Sequence, residues 1–213
     1  MTEKRFAYPI VLDLAGRRAV VVGGGRVALR KARALAEAGA RVTAVAPEFL
    51  PEFAEAAGVE CVEAPYAAGH LDGAVLAIAA TDDETVNRRV AGDARAAGVL
   101  VNVVDVPEAC DFIVPAQVRR GDLLVAITTG GAAPSLSRRL RERLEAAFGP
   151  EWEAYLEQLR AVRERVLSEG HPPAVRRRIF ERLTEPDVVE AARDGPDALR
   201  RAIDAAVAEA RRG

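Results

Sequence analysis

Residues 17–45 read "RRAVVVGGGRVALRKARALAEAGARVTAV", and this stretch decides the fold. An apolar run at 19–22 stops at three glycines, a helical pattern follows, and a second apolar run begins at residue 41. This order predicts a strand, a glycine-rich turn, a helix and a parallel strand. Gly23, Gly25 and Ala28 match the G-x-G-x-x-G/A pattern at the point where the strand becomes the helix, which is the setting that the dinucleotide-binding fingerprint requires.

The small residues of this turn each have a physical purpose. The first glycine permits a tight turn, the next lets a pyrophosphate approach the backbone, and Ala28 keeps the helix close to the sheet. The helix amino terminus adds N–H donors and the positive end of its dipole. At the end of the second strand, Ala46-Pro47 stand where many NAD-binding folds have an acidic residue, and no arginine follows to hold a 2′-phosphate. We therefore expect NAD in preference to NADP.

Further apolar runs indicate that the sheet continues beyond the second strand. Apolar runs and helix-compatible segments alternate along the chain, at 59–62, 74–79, 83–97 and 99–104. Parallel strands covered on both faces read as continuous apolar runs of this kind. The sequence therefore predicts an α/β fold, with a Rossmann-like doubly wound parallel sheet over residues 1–113.

The pattern changes after residue 113. Two apolar runs in "DFIVPAQVRRGDLLVAITTGG" flank Arg119-Arg120-Gly121-Asp122 and predict an antiparallel hairpin. From Pro134 onward the pattern is helical, so we expect a hairpin-plus-helix segment over 114–148 and an all-α carboxyl-terminal domain over 149–213. The helix after the hairpin carries an apolar stripe that must be buried, either on its own domain, the more ordinary case, or on a second subunit. The stripe consists of Leu136, Leu140, Leu144 and Phe148.

Composition argues against several classes of protein. A net charge of −2 argues against general nucleic-acid affinity, and no run of about 18 apolar residues is present to span a membrane. The first residues do not resemble a signal peptide, so a cytoplasmic location is expected. Cys61 and Cys110 lie far apart and are most simply buried or incidental thiols. His70 and His171 have no metal-ligand spacing around them, and no metal site is predicted.

Polar residues follow two of the predicted strands at the edge where open α/β sheets bind ligands. Thr81-Asp82-Asp83 come after the fourth strand, although Asp82 or Asp83 could equally cap the following helix. Asn102 and Asp105 in "NVVD" end the last strand on the same edge. Asp105 is a candidate general base for the proton released when a C–H bond is oxidised; the alternative is an aspartate that only forms a turn.

A second glycine-rich turn, "TTGG", leads into the helix that begins near Pro134, where Thr129 or Ser135 is available as a cap. It is a further candidate anion site. Many arginines surround it in sequence, and their planar guanidinium groups suit a ligand with several carboxylates. Each arginine taken alone is more simply a surface residue.

In this combination the chain closely resembles the precorrin-2 dehydrogenases and sirohydrochlorin ferrochelatases, which also form the amino-terminal part of multifunctional siroheme synthases. The motifs that carry the likeness lie between residues 8 and 148, and the carboxyl-terminal helices match only in length and helical character. In chain order these motifs are "YPIVLDLAGRRAVVVGGGRVALRKARAL", "AATDDETVN", "VNVVD", "FIVPAQVRRGDLLVAITTGG" and "APSLSRRLRERLE".

The resemblance implies an enzyme that uses NAD to oxidise precorrin-2 to sirohydrochlorin in siroheme biosynthesis, with Fe²⁺ insertion as a second activity in some members. Asp105 falls on the family's key catalytic aspartate. Members are typically homodimers joined through the segment that corresponds to 114–148, so the apolar stripe becomes a candidate subunit contact. The candidate cofactor-binding residues are Gly23, Gly24, Gly25, Arg26, Val27, Ala46, Pro47, Thr81, Asp82, Asn102 and Val104. The candidate substrate-binding residues are Arg119, Thr129, Gly130, Gly131 and Arg138.

Two other functions are compatible with parts of the pattern. A non-catalytic NAD sensor would explain the glycine loop but not the NVVD, FIVPA and TTGG motifs together. A chelatase that only loads a metal into a tetrapyrrole would need no NAD. Nucleotide binding without tetrapyrrole binding would indicate the first, and a metal-dependent spectral change without NAD would indicate the second.

Overall fold

The computed structural model describes residues 8–212, which form two compact units that divide between Val114 and Pro115. The first unit is a five-stranded parallel sheet in the order β3-β2-β1-β4-β5, with helices on both faces. Its strands are β1 Arg18–Val22, β2 Arg41–Ala46, β3 Val59–Glu63, β4 Ala74–Ala79 and β5 Leu100–Val103, and its α-helices are α1 Arg26–Glu37 and α2 Glu84–Ala96. The predicted Rossmann-like sheet is confirmed.

The central strand shows why continuous apolar runs become parallel strands. Ala19 and Val21 are fully buried in the core on the α1 side, whereas Val20 and Val22 are buried in the core on the α2 side. Because both faces of β1 are covered, each position from Ala19 to Val22 is apolar. Burial of one such valine side chain contributes about 1.5–3 kcal/mol.

The strand order places a reversal of direction at β1. From β1 the chain passes through α1 to β2 and β3 on one side, and later to β4 and β5 on the other. The crevice between the carboxyl ends of β1 and β4 is the position at which open α/β sheets bind their ligands. The glycine turn follows β1, so the sequence motif lies at this position.

The second unit begins with an antiparallel hairpin of β6 (Ala116–Arg120) and β7 (Leu123–Ile127). Gly121 has a φ of 54° in the two-residue turn between them, which favours glycine. Five α-helices follow within the described residues: α3 Pro134–Ala147, α4 Glu151–Ser168, α5 Pro173–Arg182, α6 Pro186–Ala191 and α7 Pro196–Arg212. Apolar side chains of α4 to α7 form a separate core, which includes Val166, Ile179, Leu199 and Ile203. In the part of the chain that the structure describes, no helix is both long and apolar enough to cross a membrane.

Candidate nucleotide-binding site

The glycine turn after β1 is closely surrounded by backbone on its inner side. The Gly23 N–H donates to the Val45 carbonyl at 2.9 Å, and the Gly24 carbonyl accepts from the Leu50 N–H at 3.0 Å. A Cβ atom on Gly23 would collide with the Ala80 carbonyl, and the φ of 136° at Gly23 is one that side chains rarely adopt. A Cβ on Gly24 would likewise collide with the carbonyl of residue 48. Both glycines are therefore required by the fold itself.

Gly25 differs from its two neighbours because the space around it is open. An added Cβ would meet nothing within 4 Å, and its φ of −87° is ordinary for any residue. Gly25 is also the residue that precedes α1, and the first turn of the helix, which begins at Arg26, contains no acidic residue. The amino terminus of α1 thus presents N–H donors and the positive end of the helix dipole beside an open glycine, as a phosphate group requires.

The loop after β4 is held in place by one buried amide side chain. The Asn87 Oδ1 accepts from the Thr81 N–H at 3.2 Å and from the Thr81 hydroxyl at 2.9 Å, and the Asn87 Nδ2 donates to the Thr81 carbonyl at 2.9 Å. Asp83 caps α2, because its Oδ1 accepts from the Thr85 N–H at 2.7 Å. The sequence left two roles open for Asp82 and Asp83, ligand binding or capping of α2. Capping is confirmed for Asp83, and Asp82 beside it is exposed.

Backbone hydrogen bonds connect the three strand ends that border the crevice. The Ala80 N–H donates to the Val22 carbonyl at 2.8 Å, which links the end of β4 to the end of β1. The Val104 N–H donates to the Ala79 carbonyl at 2.9 Å, which links the turn after β5 to β4. Asp105 directly follows Val104 and is exposed. Its carboxylate is therefore carried by a turn fixed to the same sheet edge as the glycine loop.

Asp105 adopts an unusual backbone conformation. Its φ of 60° is the only positive φ of a non-glycine residue among residues 8–212. Left-handed backbone costs an ordinary residue on the order of 1 kcal/mol, and aspartate and asparagine tolerate it best. Positive φ in an aspartate occurs both in ordinary turns and at functional sites, so the conformation is compatible with either role of Asp105.

Lys31, a residue of α1 that the sequence did not single out, lies near Asp105. Burial lowers the pKa of the Lys31 ammonium, the Arg30 guanidinium lowers it further, and the Asp105 carboxylate raises it. Lys31 is thus a half-buried amine beside the aspartate turn, where burial disfavours its charged form. In the sequence Lys31 is distinguished only because the chain has two lysines, Lys4 and Lys31, and a rare residue type does not by itself indicate a function.

The structure brings most predicted cofactor-binding residues to one edge of the first unit. Arg26 and Val27 begin α1, Ala46 ends β2 with Pro47 after it, and Thr81 follows β4. Asn102 differs in its orientation, because its amide donates inward to the Phe112 carbonyl at 2.9 Å and is 8% exposed. The Asn102 side chain therefore anchors the loop after β5.

The five predicted substrate-binding residues belong to the second unit. The Thr129 Oγ1 accepts from the Ala133 N–H at 3.1 Å and lies 3.3 Å from the Ser137 hydroxyl, so Thr129 organises the turn before α3. Ser135, the alternative cap, lies inside α3, which begins at Pro134. Gly130 and Gly131 have positive φ values and open space around them, and Arg119 and Arg138 are exposed.

Two family models match consecutive parts of this chain. A family model described as "Putative NAD(P)-binding" matches residues 10–116, which are half of the chain and include every strand of the parallel sheet. This chain belongs to that family. A second model, described as sirohaem biosynthesis protein central, matches residues 120–147 of the hairpin and α3. Together the two matches confirm the resemblance to the amino-terminal part of the siroheme synthases.

Individual relatives agree with this assignment. The siroheme synthase of Chromobacterium violaceum is 43% identical over 198 residues, which are 92% of this chain and 42% of that protein. The siroheme synthase of Azotobacter vinelandii is 54% identical over 140 residues, which are 64% of this chain and 30% of that protein. This chain thus spans less than half the length of these curated relatives.

A solved structure shows that the likeness extends to three dimensions. SirC, a precorrin-2 dehydrogenase, has a TM-score of 0.77 and 25% sequence identity to this chain. The match covers 93% of this chain and 98% of that one, so it includes the helices after residue 148, where sequence motifs are weak. Between residues 8 and 212 no group of three or more His, Cys, Asp or Glu side chains could hold a metal ion.

Proposed function

We propose that this protein oxidises precorrin-2 to sirohydrochlorin with NAD. The observation that carries the proposal is the shared edge of the sheet, where an open glycine turn and a strained, exposed aspartate are joined through consecutive backbone hydrogen bonds. Membership of an NAD(P)-binding family and the likeness to a precorrin-2 dehydrogenase support the same reaction. The absence of an arginine after β2 supports NAD over NADP.

NAD supplies a hydride acceptor when it is bound at this edge. Gly25 and the N–H groups of Arg26 and Val27 would hold its pyrophosphate, since this is where the helix dipole and open space coincide. Asp105 would accept the proton that leaves as the substrate loses its hydride, so that the two electrons and the proton are both accounted for. Lys31 lies near that carboxylate, which raises the pKa of the Lys31 ammonium and so partly offsets the effect of burial.

The acidic arms of the tetrapyrrole need cationic partners. The exposed guanidinium groups of Arg119 and Arg138 and the open turn at Thr129, Gly130 and Gly131 are the residues we propose for this purpose. Arg120 is less suitable, because its Nε donates to the Phe148 carbonyl at 2.9 Å and the side chain is occupied within its own unit.

A homodimer and a cytoplasmic location are part of the proposal. Leu136 is 47% exposed, and Leu140, Leu144 and Phe148 are only half-buried, so the apolar stripe of α3 is incompletely covered within its own unit. A second subunit would cover it, and sedimentation equilibrium of the wild type and of Leu136→Glu tests this. Dimeric wild type and a dissociated variant support the subunit contact, and two species of equal mass contradict it.

Asp105→Asn is the decisive variant for the reaction. Asparagine also tolerates left-handed backbone, so this substitution removes the charge and leaves the turn in place. We expect unchanged NAD affinity and a loss of kcat of about 10²–10⁴-fold, the range for removal of a general base. NADH formation from precorrin-2 measures the rate, and full activity of the variant would exclude Asp105 as the base.

Iron insertion is a separate arm of the same experiment. Fe²⁺ is a substrate in that reaction, so it is added after oxidation is complete and the formation of siroheme is followed by absorbance. The relatives named siroheme synthase support its inclusion. Iron insertion by this chain would define a bifunctional enzyme, and oxidation alone would define a dehydrogenase.

A further inference from the structure

The turn that carries Asp105 spans Val103 to Val106 and is closed by a hydrogen bond from the Val106 N–H to the Val103 carbonyl at 3.3 Å. Val104 is separately fixed, through its N–H, to the end of β4. A turn that holds a non-glycine residue at positive φ persists only where its surroundings determine it. What holds both ends of this turn is therefore relevant to how Asp105 is presented.

The sulfur of Cys110 contacts both ends of this turn. The Val103 N–H donates to the Cys110 Sγ at 3.1 Å, and the Sγ lies 3.1 Å from the Val103 carbonyl and 3.3 Å from the Val106 carbonyl. The single thiol proton can be donated to one of these carbonyls at a time. Asn102 adds a contact from its Nδ2 to the same sulfur at 3.5 Å. The side chain is 4% exposed, so water cannot readily replace these interactions.

The segment that carries Cys110 is itself fixed to β5. The Asp111 N–H donates to the Val101 carbonyl at 2.8 Å, and an oxygen of the Asp111 carboxylate accepts from the Val101 N–H at 3.0 Å. Arg95 on α2 donates to the Ala109 carbonyl at 2.8 Å. The sulfur therefore connects a segment anchored on two elements to a turn that is also held by its own closing bond, by β4 and by the Ala109 N–H, which donates to the Val106 carbonyl at 3.0 Å.

We propose that Cys110 is a positioning residue whose buried sulfur holds the Val103–Val106 turn in the conformation that presents Asp105 to the substrate. This inference rests on the proposed function of Asp105 and assigns a role to a thiol that takes no part in the chemistry. A misplacement of about 1 Å in a catalytic group can cost on the order of 10²-fold in rate. The sulfur is thus expected to affect turnover far more than nucleotide binding.

Three variants of the full chain test the role by kinetics. Cys110→Ala removes the sulfur contacts and is expected to lower kcat by about 10- to 100-fold with NAD affinity unchanged. Cys110→Ser keeps a donor and an acceptor at the position and is expected to recover most of that loss. Cys61→Ala is the matched control, because Cys61 lies exposed on β3 outside the site and should retain wild-type kcat.

Hydrogen exchange of the turn amides supplies a measurement that does not depend on turnover. We expect the protection of the Val104 and Val106 amides to fall in Cys110→Ala, while amides of α1 and β1 keep wild-type protection. If kcat and NAD affinity fall together, or if the serine variant is as slow as the alanine variant, the positioning role is wrong. Unchanged exchange of the two turn amides in Cys110→Ala would also overturn it.

The two proposals fail in different ways. If Asp105→Asn is fully active, Asp105 is not the general base, and the hydrogen-exchange experiment alone tests whether Cys110 holds the Val103–Val106 turn. An inactive Asp105→Asn together with a fully active Cys110→Ala keeps the base and removes the positioning role. Thermal unfolding of each variant shows whether it is folded under the conditions of the assay.

Discussion

Replacing Gly25 by alanine should separate nucleotide binding from folding. A Cβ at this position meets nothing within 4 Å, and its φ of −87° suits alanine. Alanine lowers the conformational entropy of the unfolded chain, which stabilises the folded protein by about 0.4–1 kcal/mol. Alanine is also less favourable than glycine at the N-cap position of a helix, which costs a similar amount. The net change in the free energy of unfolding is then within about 1 kcal/mol, or within about 4 °C in Tm.

Binding should respond differently, because the same Cβ would occupy the space that the pyrophosphate needs. We expect the Kd for NAD to rise at least about tenfold, which corresponds to about 1.4 kcal/mol of lost binding free energy. Isothermal titration with NAD gives the affinity, and thermal unfolding of the nucleotide-free protein gives the stability.

Gly24→Ala is the matched control for this experiment. Its Cβ would collide with the backbone carbonyl of residue 48 and lie 3.1 Å from the Ala46 Cβ, so the cost falls on folding. Overpacking of this kind costs about 1–3 kcal/mol, which lowers Tm by about 2–12 °C. Wild-type NAD affinity in Gly25→Ala, or wild-type stability in Gly24→Ala, would refute the reasoning about the turn.

Three other side chains, those of Asn87, Ile179 and Lys31, give testable expectations for stability. Asn87→Ala removes three hydrogen bonds to Thr81, so we expect it to lower the free energy of unfolding by about 1–3 kcal/mol in urea titrations and to weaken NAD binding. Ile179→Ala, at a fully buried position in the helical unit, should cost about 2–5 kcal/mol by the same method; a smaller loss would contradict its place in that core. Burial lowers the pKa of Lys31, so the folded protein binds fewer protons there than the unfolded chain. Between that lowered pKa and its ordinary value of 10.5, stability should therefore rise with pH more in the wild type than in Lys31→Met, and parallel pH profiles would count against a buried ammonium.

The parallel sheet could be predicted because its signals are local. Strands covered on both faces must be apolar throughout, and a turn that packs against backbone must contain glycine, so both features are written in consecutive residues. The apolar run at 74–79 agrees with β4 to the residue, and β2 begins at residue 41 as predicted. The edge location of Asp105 followed from the same logic, since the carboxyl ends of parallel strands lie together.

The contacts of Cys110 and Lys31 could not be predicted from the sequence, because they join residues that are distant along the chain. The sequence alone indicates a buried or incidental thiol at Cys110, and its neighbours in the chain do not indicate that its sulfur contacts both ends of the Val103–Val106 turn. Lys31 lies 74 positions before Asp105, and their proximity requires α1 and β5 to be placed on the same sheet. The positive φ of Asp105 is likewise invisible in sequence, because aspartate in a turn adopts several conformations.

An anaerobic assay of the wild type with precorrin-2 and NAD tests the central claim most directly. We expect NADH and sirohydrochlorin to form in equal amounts, and both to form about 10²–10⁴-fold more slowly with Asp105→Asn. NAD binding without oxidation of precorrin-2 would contradict it and indicate a sensor. Metal insertion into a tetrapyrrole with no requirement for NAD would contradict it and indicate a chelatase alone.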